Sequence, residues 1–395
     1  MRVLALILSF FFLAGCQQLN AFKDLASALS DTISGSDNAE PPKELQPLEP
    51  TVNMTVLWST SVGVGLDKRI LNLVPAVTGS TVYVADRKGL VMAVDRTSGD
   101  SVWSRDTALE LASGPVVAGD KLLFGTSNAE LVAISLTDGE LLWKTALTSE
   151  MVALPRVSHN LAITRTTDGR ISAFELSRGT IKWFHDRNLP SLTVRSLGSP
   201  SIHGDLVIDG SSSGKVLALS LQDGHAIWES TVIVPRGRSE VERLVELDAD
   251  PVVQGDVVYV TGFQAGMAAL DAASGNILWH QKTGYSSHAT LVDKKALFIT
   301  DNASDVWKMD IATGADQWKQ DVLHQRRLTV PAKIRDFLVV GDFEGYLHLL
   351  RSDNGSLVGR LELESEDPII ATPIVYEDTL YALTSKGVLA AIKVD

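Results

Sequence analysis

Short apolar runs and glycine-bearing polar turns alternate along this chain with a regular beat. The clearest stretch is Pro251-Val-Val-Gln-Gly255-Asp256-Val-Val-Tyr-Val, followed by Ala269, Asp271, Gly275 and Trp279. Val257-Val-Tyr-Val, Val82-Tyr-Val and Leu122-Leu-Phe are β-branched or bulky runs of strand length. The pairs Gly119-Asp120, Gly204-Asp205 and Gly255-Asp256 precede such runs, and both residue types tolerate the positive φ of a tight hairpin turn. A second turn carries Gly89, Gly169, Gly214, Gly345 or Gly387. Alternating runs such as Leu90-Val-Met-Ala93-Val-Asp95 and Val216-Leu-Ala218-Leu-Ser220 come next, and then turns such as Thr97-Ser-Gly99 and Gln222-Asp-Gly224. Each unit therefore predicts four strands and three turns. Asp95, Asp271 and Asp310 are predicted to cap the turn after them through Asx-type hydrogen bonds.

The unit recurs from starts at Pro75, Pro115, Pro155, Pro200, Pro251, Thr290, Pro331 and Pro373. The first five units keep one constant separation between Pro and Trp, from Pro75 and Trp103 through to Pro251 and Trp279. A repeat of roughly 40 residues with four strand-like runs predicts an all-β fold, an eight-bladed propeller of four-stranded antiparallel blades. The seventh copy has Gly359 where Trp belongs, and the eighth stops at Asp395 before its fourth strand. Met54-Thr-Val-Leu-Trp58-Ser-Thr supplies that strand from the other end and closes the ring, which removes an open edge. Trp58, Trp103, Trp143, Trp183, Trp228, Trp279 and Trp318 are expected to be structural anchors between neighbouring blades. The small residues Ala93, Ala133, Ala173, Ala218, Ala269 and Ala391 share one position and leave them room.

Charge narrows the partners. The formal net charge is −13, and no basic cluster offsets it, so nucleic acid is excluded as a partner. The N-terminus reads as a targeting segment. Arg2 precedes an apolar stretch, Val3 to Leu13, that is too short to span a bilayer. It ends in Leu13-Ala14-Gly15-Cys16, which resembles the bacterial lipobox. That resemblance implies removal of a signal peptide, residues 1–15, and lipidation of Cys16, the only cysteine of the chain. Acyl chains would hold the protein on a membrane surface without a spanning helix. Gln17 and Gln18 differ from the Asp of an inner-membrane retention signal, which points to the periplasmic face of the outer membrane. Residues 16–51 carry Ser34-Gly-Ser-Asp-Asn and Glu40-Pro-Pro-Lys-Glu and read as a flexible or polyproline-like tether. The propeller is expected over residues 52–395.

The chemistry-bearing patterns are weak. Gly210-Ser-Ser212-Ser-Gly214 matches a nucleophile elbow literally, but it lies at a strand-to-strand turn with no helix after it. The histidines are scattered without zinc spacing, and Asp301-Asn-Ala-Ser-Asp305 coincides with a blade turn. No catalytic residue, cofactor or metal is expected. The informative irregularity is in the spacing. The step from Trp to the next unit is short and constant in the first two units, Trp103 to Pro115 and Trp143 to Pro155. It lengthens from Trp183 to Pro200 and again from Trp228 to Pro251. Both expanded connections leave on one face, where repeat proteins carry their binding loops.

The stretches Ala93 to Trp103 and Ala269 to Trp279 resemble the tryptophan-docking repeat of pyrroloquinoline-quinone dehydrogenases. The adjacent-cysteine disulfide of those enzymes is absent. Repeat, blade count, lipobox and length together resemble the BamB family, the propeller lipoproteins of the outer-membrane β-barrel assembly machinery. That resemblance implies a non-enzymatic scaffold docking on the periplasmic POTRA domains of BamA, beside the other subunits, and aiding insertion of outer-membrane proteins. The family's Leu-x-Leu-Arg pattern appears here as Leu192-Thr-Val194-Arg195, and its paired acidic residues as Glu246 and Asp248. The resemblance gives Leu192, Val194, Arg195, Glu246 and Asp248 the role of binding BamA. Two other classes stay open on residues alone. One is a periplasmic module that binds peptidoglycan or the strands of nascent outer-membrane proteins, and the other is a quinoprotein dehydrogenase.

Overall fold

The computed structural model describes residues 40–67, 69–190, 192, 197–236, 238–239, 242, 244–247, 249–281 and 290–395. Pro42–Asp395 form one compact unit. Among the described residues the strands form eight sheets and no helix is present. Blade one is typical, with strands Ala76–Thr78, Thr81–Ala85, Leu90–Asp95 and Ser101–Asp106 in simple up-and-down order. The first strands of adjacent blades touch one another, whereas the fourth strands are outermost and largely exposed. Blade two also takes in a short parallel strand, Asn72–Leu73, beside Leu111–Ala118. The repeat contains no hint of that strand, because it precedes the first unit.

The ring closes as the truncated last unit predicts. Met54–Ser61 pairs antiparallel with Val388–Val394 and completes blade eight. In register, Trp58 faces Ala391 as Trp103 faces Ala93 and Trp279 faces Ala269. The indoles lie between blades. Nε1 of Trp58, Trp103, Trp143, Trp183, Trp228 and Trp279 donates to a carbonyl of the following blade at 2.9–3.2 Å. Each of these rings covers the third-turn glycine of that blade. Those glycines, Gly99, Gly139, Gly179, Gly224, Gly275 and Gly314, hold φ between +68° and +80°. Trp318 covers Gly355 in the same way. Glycine is needed there twice over, for the left-handed backbone and for the absent Cβ.

Blade seven is the exception, and its reason is geometric. Blade eight has no third turn, because its third strand ends at Val394 and its fourth begins at Met54, with the Asp395 N–H donating to the Asn53 carbonyl at 2.9 Å. A Trp at position 359 would have no turn glycine to cover. A Cβ on Gly359 would lie 2.7 Å from the Val52 carbonyl oxygen, so the incoming chain occupies that space. Turn chemistry follows expectation. Asp95 Oδ1 accepts the N–H groups of Thr97 and Ser98, and Asp310 Oδ1 those of Ala312 and Thr313, at 2.8–3.0 Å. The Ser274 N–H donates to Asp271 in the same position.

Two glycine substitutions separate the roles of backbone and space. Gly119 has φ +65° and open space where a methyl would go, whereas a Cβ on Gly314, at φ +69°, would lie 2.7 Å from the Trp279 ring. Gly119→Ala should cost about 1 kcal/mol of unfolding free energy, and Gly314→Ala about 2–4 kcal/mol, since overpacking adds to backbone strain. Denaturant titration of both variants checks the difference, and equal losses would overturn the packing role of the indole.

Candidate docking site on blades three and four

The two expanded connections run from Ile181–His185 to Ser201–His203 and from Ala226–Thr231 to Val252–Gln254. In an up-and-down blade, these connections emerge on the same face as the second turns, such as Ser211–Gly214. Their described parts are packed against those turns. Leu189 lies against Gly169, where a Cβ would be 2.8 Å from its Cδ2. Val232 and Ile233 donate to the Gly214 carbonyl, and Leu247 to that of Ser211, at 3.0–3.2 Å. Glu246 forms an antiparallel bridge with Phe263, and its N–H donates to the Phe263 carbonyl at 3.1 Å.

A buried charge cluster supports the first loop. Asp209, on the second strand of blade four, is fully buried. Val84, Val260 and Val340 occupy its register position in other blades. Its Oδ1 meets Nη1 of Arg165 at 3.1 Å and its Oδ2 meets Nη1 of Arg187 at 2.7 Å. Both guanidinium groups also donate to the Gly210 carbonyl. Burial works to discharge Arg165, but the charge and hydrogen bond of Asp209, together with the Glu246 and Asp250 charges, raise its pKa on balance, whereas burial, with Arg165 nearby, lowers that of Arg187. Arginine starts high enough that both stay charged at neutral pH.

A second carboxylate joins the two loops at their ends. Asp250 Oδ1 accepts the Ser199 N–H at 2.6 Å, and its other oxygen meets the Arg156 guanidinium. Arg156 Nε donates to the Pro200 carbonyl at 3.0 Å, and the Leu154 N–H donates to Ser199 Oγ at 2.8 Å. Burial pushes the Asp250 carboxyl up, against the pull of Arg156. Between the first loop and the serine turn lies a polar cavity of about 250 Å³, lined by Arg187, Asn188, Leu189, Ser211–Ser213, Lys215 and Glu229.

The predicted partner-binding residues fall differently. Leu192 is 42% exposed, and Glu246 is 3% exposed, beneath the loop surface. Val194, Arg195, Asp248 and the lipidation residue Cys16 lie outside the described residues. Asp209, Arg165, Arg187, Asp250 and Arg156 were not singled out by pattern. The available signal was Asp209 itself, a charge at a strand position that several other units fill with valine. Among the described residues no cluster of His, Cys, Asp and Glu is arranged to hold a metal ion.

A family model described as "Outer membrane protein assembly factor BamB" matches residues 53–120 and 87–320, more than half of the chain. The protein of that name from Legionella pneumophila is 44% identical over 93% of this chain and 95% of its own length. That from Alkalilimnicola ehrlichii is 49% identical over 85% and 88%. The chain belongs to the BamB family. Pseudomonas aeruginosa BamB is 45% identical over 93% of this chain and 96% of its own. Among solved structures, BamB from Moraxella catarrhalis superposes with a TM-score of 0.76 at 22% identity, covering 86% of this chain and all of that one. Quinohemoprotein alcohol dehydrogenase from Comamonas testosteroni gives 0.69 at 11% identity, over 86% of this chain and 76% of its own. At such identity the likeness shows the propeller fold, and fold alone does not carry chemistry. The BamB family membership therefore rests on sequence, and the shared propeller agrees with it.

The cluster at Asp209 has a testable energetic signature. Asp209→Asn removes the anion between two guanidinium groups and should destabilise the protein by about 3–5 kcal/mol. The triple change Asp209→Val, Arg165→Met, Arg187→Met should be near neutral or stabilising, because desolvation of all three charges disappears together. Thermal and urea unfolding of both variants checks this. A triple variant as unstable as the single one would overturn the pairing account.

Proposed function

We propose that this protein is a non-enzymatic scaffold of the outer-membrane protein assembly machinery. It is held on the periplasmic face of the outer membrane through lipidated Cys16, with residues 1–15 removed. It docks on the POTRA domains of BamA through the two expanded loops of blades three and four and, with the other subunits, aids insertion of β-barrel proteins. The single observation that carries this reading is membership of the BamB family, with relatives at 44% and 45% identity across 93% of the chain.

The loop geometry supports the placement of the docking site. Two long connections on one face are joined by Asp250 and backed by the Arg165–Asp209–Arg187 cluster. A preorganised loop pair loses less conformational entropy on binding than a free one. Leu192 supplies an exposed apolar anchor, and Val194, Arg195 and Asp248 complete the contact set with it. Glu246, being buried, acts by positioning the loop and not by touching the partner. The described charges Arg156, Arg165, Arg187, Asp209 and Asp250 are paired with one another, which suits a scaffold better than a catalyst.

Arg195→Glu is expected to weaken capture of BamA by about tenfold or more, with Asp248→Ala and Glu246→Ala doing so less. Undiminished pull-down of BamA by Arg195→Glu would overturn the site. Photocrosslinking from Leu192 in cells separates the scaffold from a client-binding module. One dominant adduct with BamA is expected, and a smear of many outer-membrane proteins would favour the module.

A further inference from the structure

We propose that the seam between blades six and seven is a docking site for the chain's own segment Lys43–Val52, and that it fixes the point where the membrane tether leaves the propeller. The docking stands on contacts within the propeller unit. Its meaning for a tether rests on the lipid anchor proposed above.

The segment is held along its length. The Lys43 N–H donates to the His324 carbonyl at 3.0 Å. Its ammonium group reaches the Asp321 carbonyl at 2.9 Å and carboxylate at 3.2 Å. The Lys43 carbonyl accepts from Arg326 Nη1 at 3.2 Å, and the Gln46 carbonyl from Arg360 Nη1 at 3.0 Å. Leu45 packs against the buried cluster that contains Phe298, Leu323 and Leu328. Finally, the N–H groups of Thr51 and Val52 donate to the Val358 carbonyl on the outermost strand of blade seven, at 2.9 and 3.2 Å.

The receiving surface is built for this. Arg326 is 2% exposed, an unusual degree of burial for a guanidinium. Its Nε donates to Asp342 Oδ2 at 2.8 Å, its Nη2 meets Glu344, and its Cζ lies 5.0 Å from the Phe343 ring centre. Asp342 is held in turn by His348 Nε2 at 2.9 Å and by the N–H groups of Glu344 and Tyr346. A buried guanidinium with a donor left over is costly, and the Lys43 carbonyl takes that donor. Pro42, Pro47 and Pro50 restrict the segment before it docks, so ordering it costs less entropy. Gly359 is the trace of this docking in the repeat, because the Val52 carbonyl stands where a side chain at 359 would begin.

The location gives the clamp a purpose. Met54–Ser61, which closes the ring, follows the segment directly. Tension on an unclamped tether would peel that closing strand from Val388–Val394. With the clamp, the load falls first on Lys43, Leu45 and the two arginines. The docked segment begins at blades six and seven, whereas the expanded connections belong to blades three and four.

Hydrogen exchange of the full chain tests the docking. The amides of Lys43, Thr51 and Val52 should be protected, and the double variant Lys43→Ser, Leu45→Asp should speed their exchange by about tenfold or more while blades one to four keep theirs. Exchange at the rate of free chain in the wild type, or no change in the double variant, would overturn the clamp. Arg326→Gln probes the receiving side, and the double variant stays decisive should that change prevent folding, because it alters only the docked segment. Protection that appears only at high protein concentration would mean docking onto a second copy and would overturn docking in cis. Pulling single molecules from residue 16 should open blade eight at lower force in the double variant, and equal forces would sink the strain-relief role. BamA capture should be unchanged by the double variant, so failure of this proposal and failure of the docking-loop reading are distinguishable.

Discussion

Every blade but the seventh is held to the next by one indole lying on one left-handed glycine. The indole covers a large apolar area, and in every case but Trp318 its only polar group is satisfied by a carbonyl of the following blade. The glycine is forced by φ and by space together. Ring closure then imposes a boundary condition. One junction lacks the glycine-bearing turn, because the third and fourth strands of blade eight come from opposite ends of the propeller segment. Blade seven meets that condition by giving up its Trp for Gly359 and letting the arriving chain fill the gap. The missing turn, the missing Trp and the clamped segment are consequences of one closure.

On that frame, the two expanded connections proposed as the docking site lie outside the repeat. Asp209 replaces an apolar residue in a strand whose neighbours are Val207, Ile208 and Gly210. Burying such a carboxylate between two guanidinium groups is a poor route to stability but a specific way to aim a loop. Here it ties Arg187, at the root of the first expanded loop, to Arg165 of the preceding blade. Asp250 ties the end of the second loop to the end of the first. The described ends of the two long loops are thereby joined. The Arg326 cluster uses the same physics across the ring, with the carbonyl of Lys43 as the last acceptor.

The repeat was legible because its information is local. Pro, Gly, Asp and Trp recur at intervals set by strand length and turn type, so blade count and the borrowed strand at Met54–Ser61 follow from spacing alone. The same spacing located the expanded loops after Trp183 and Trp228. Their supporting charges were not legible. Arg156, Arg165, Arg187, Asp209 and Asp250 lie far apart along the chain, and each but Asp209 reads alone as an ordinary surface charge. The burial of Glu246 was not legible for the same reason, because burial is decided by what packs over a residue.

The amino-acid order by itself determined the architecture of this protein: a repeated local pattern, cut so that its two ends must pair. Tertiary structure alone decided which charges are buried and which partners they find, that Asn72–Leu73 adds a parallel strand to blade two, and that Lys43–Val52 is docked on blades six and seven. The physical reason is range. Turn and strand preferences act over a few residues and are written where they act. Ion pairs and buried hydrogen bonds depend on distances that arise only when the ring has closed.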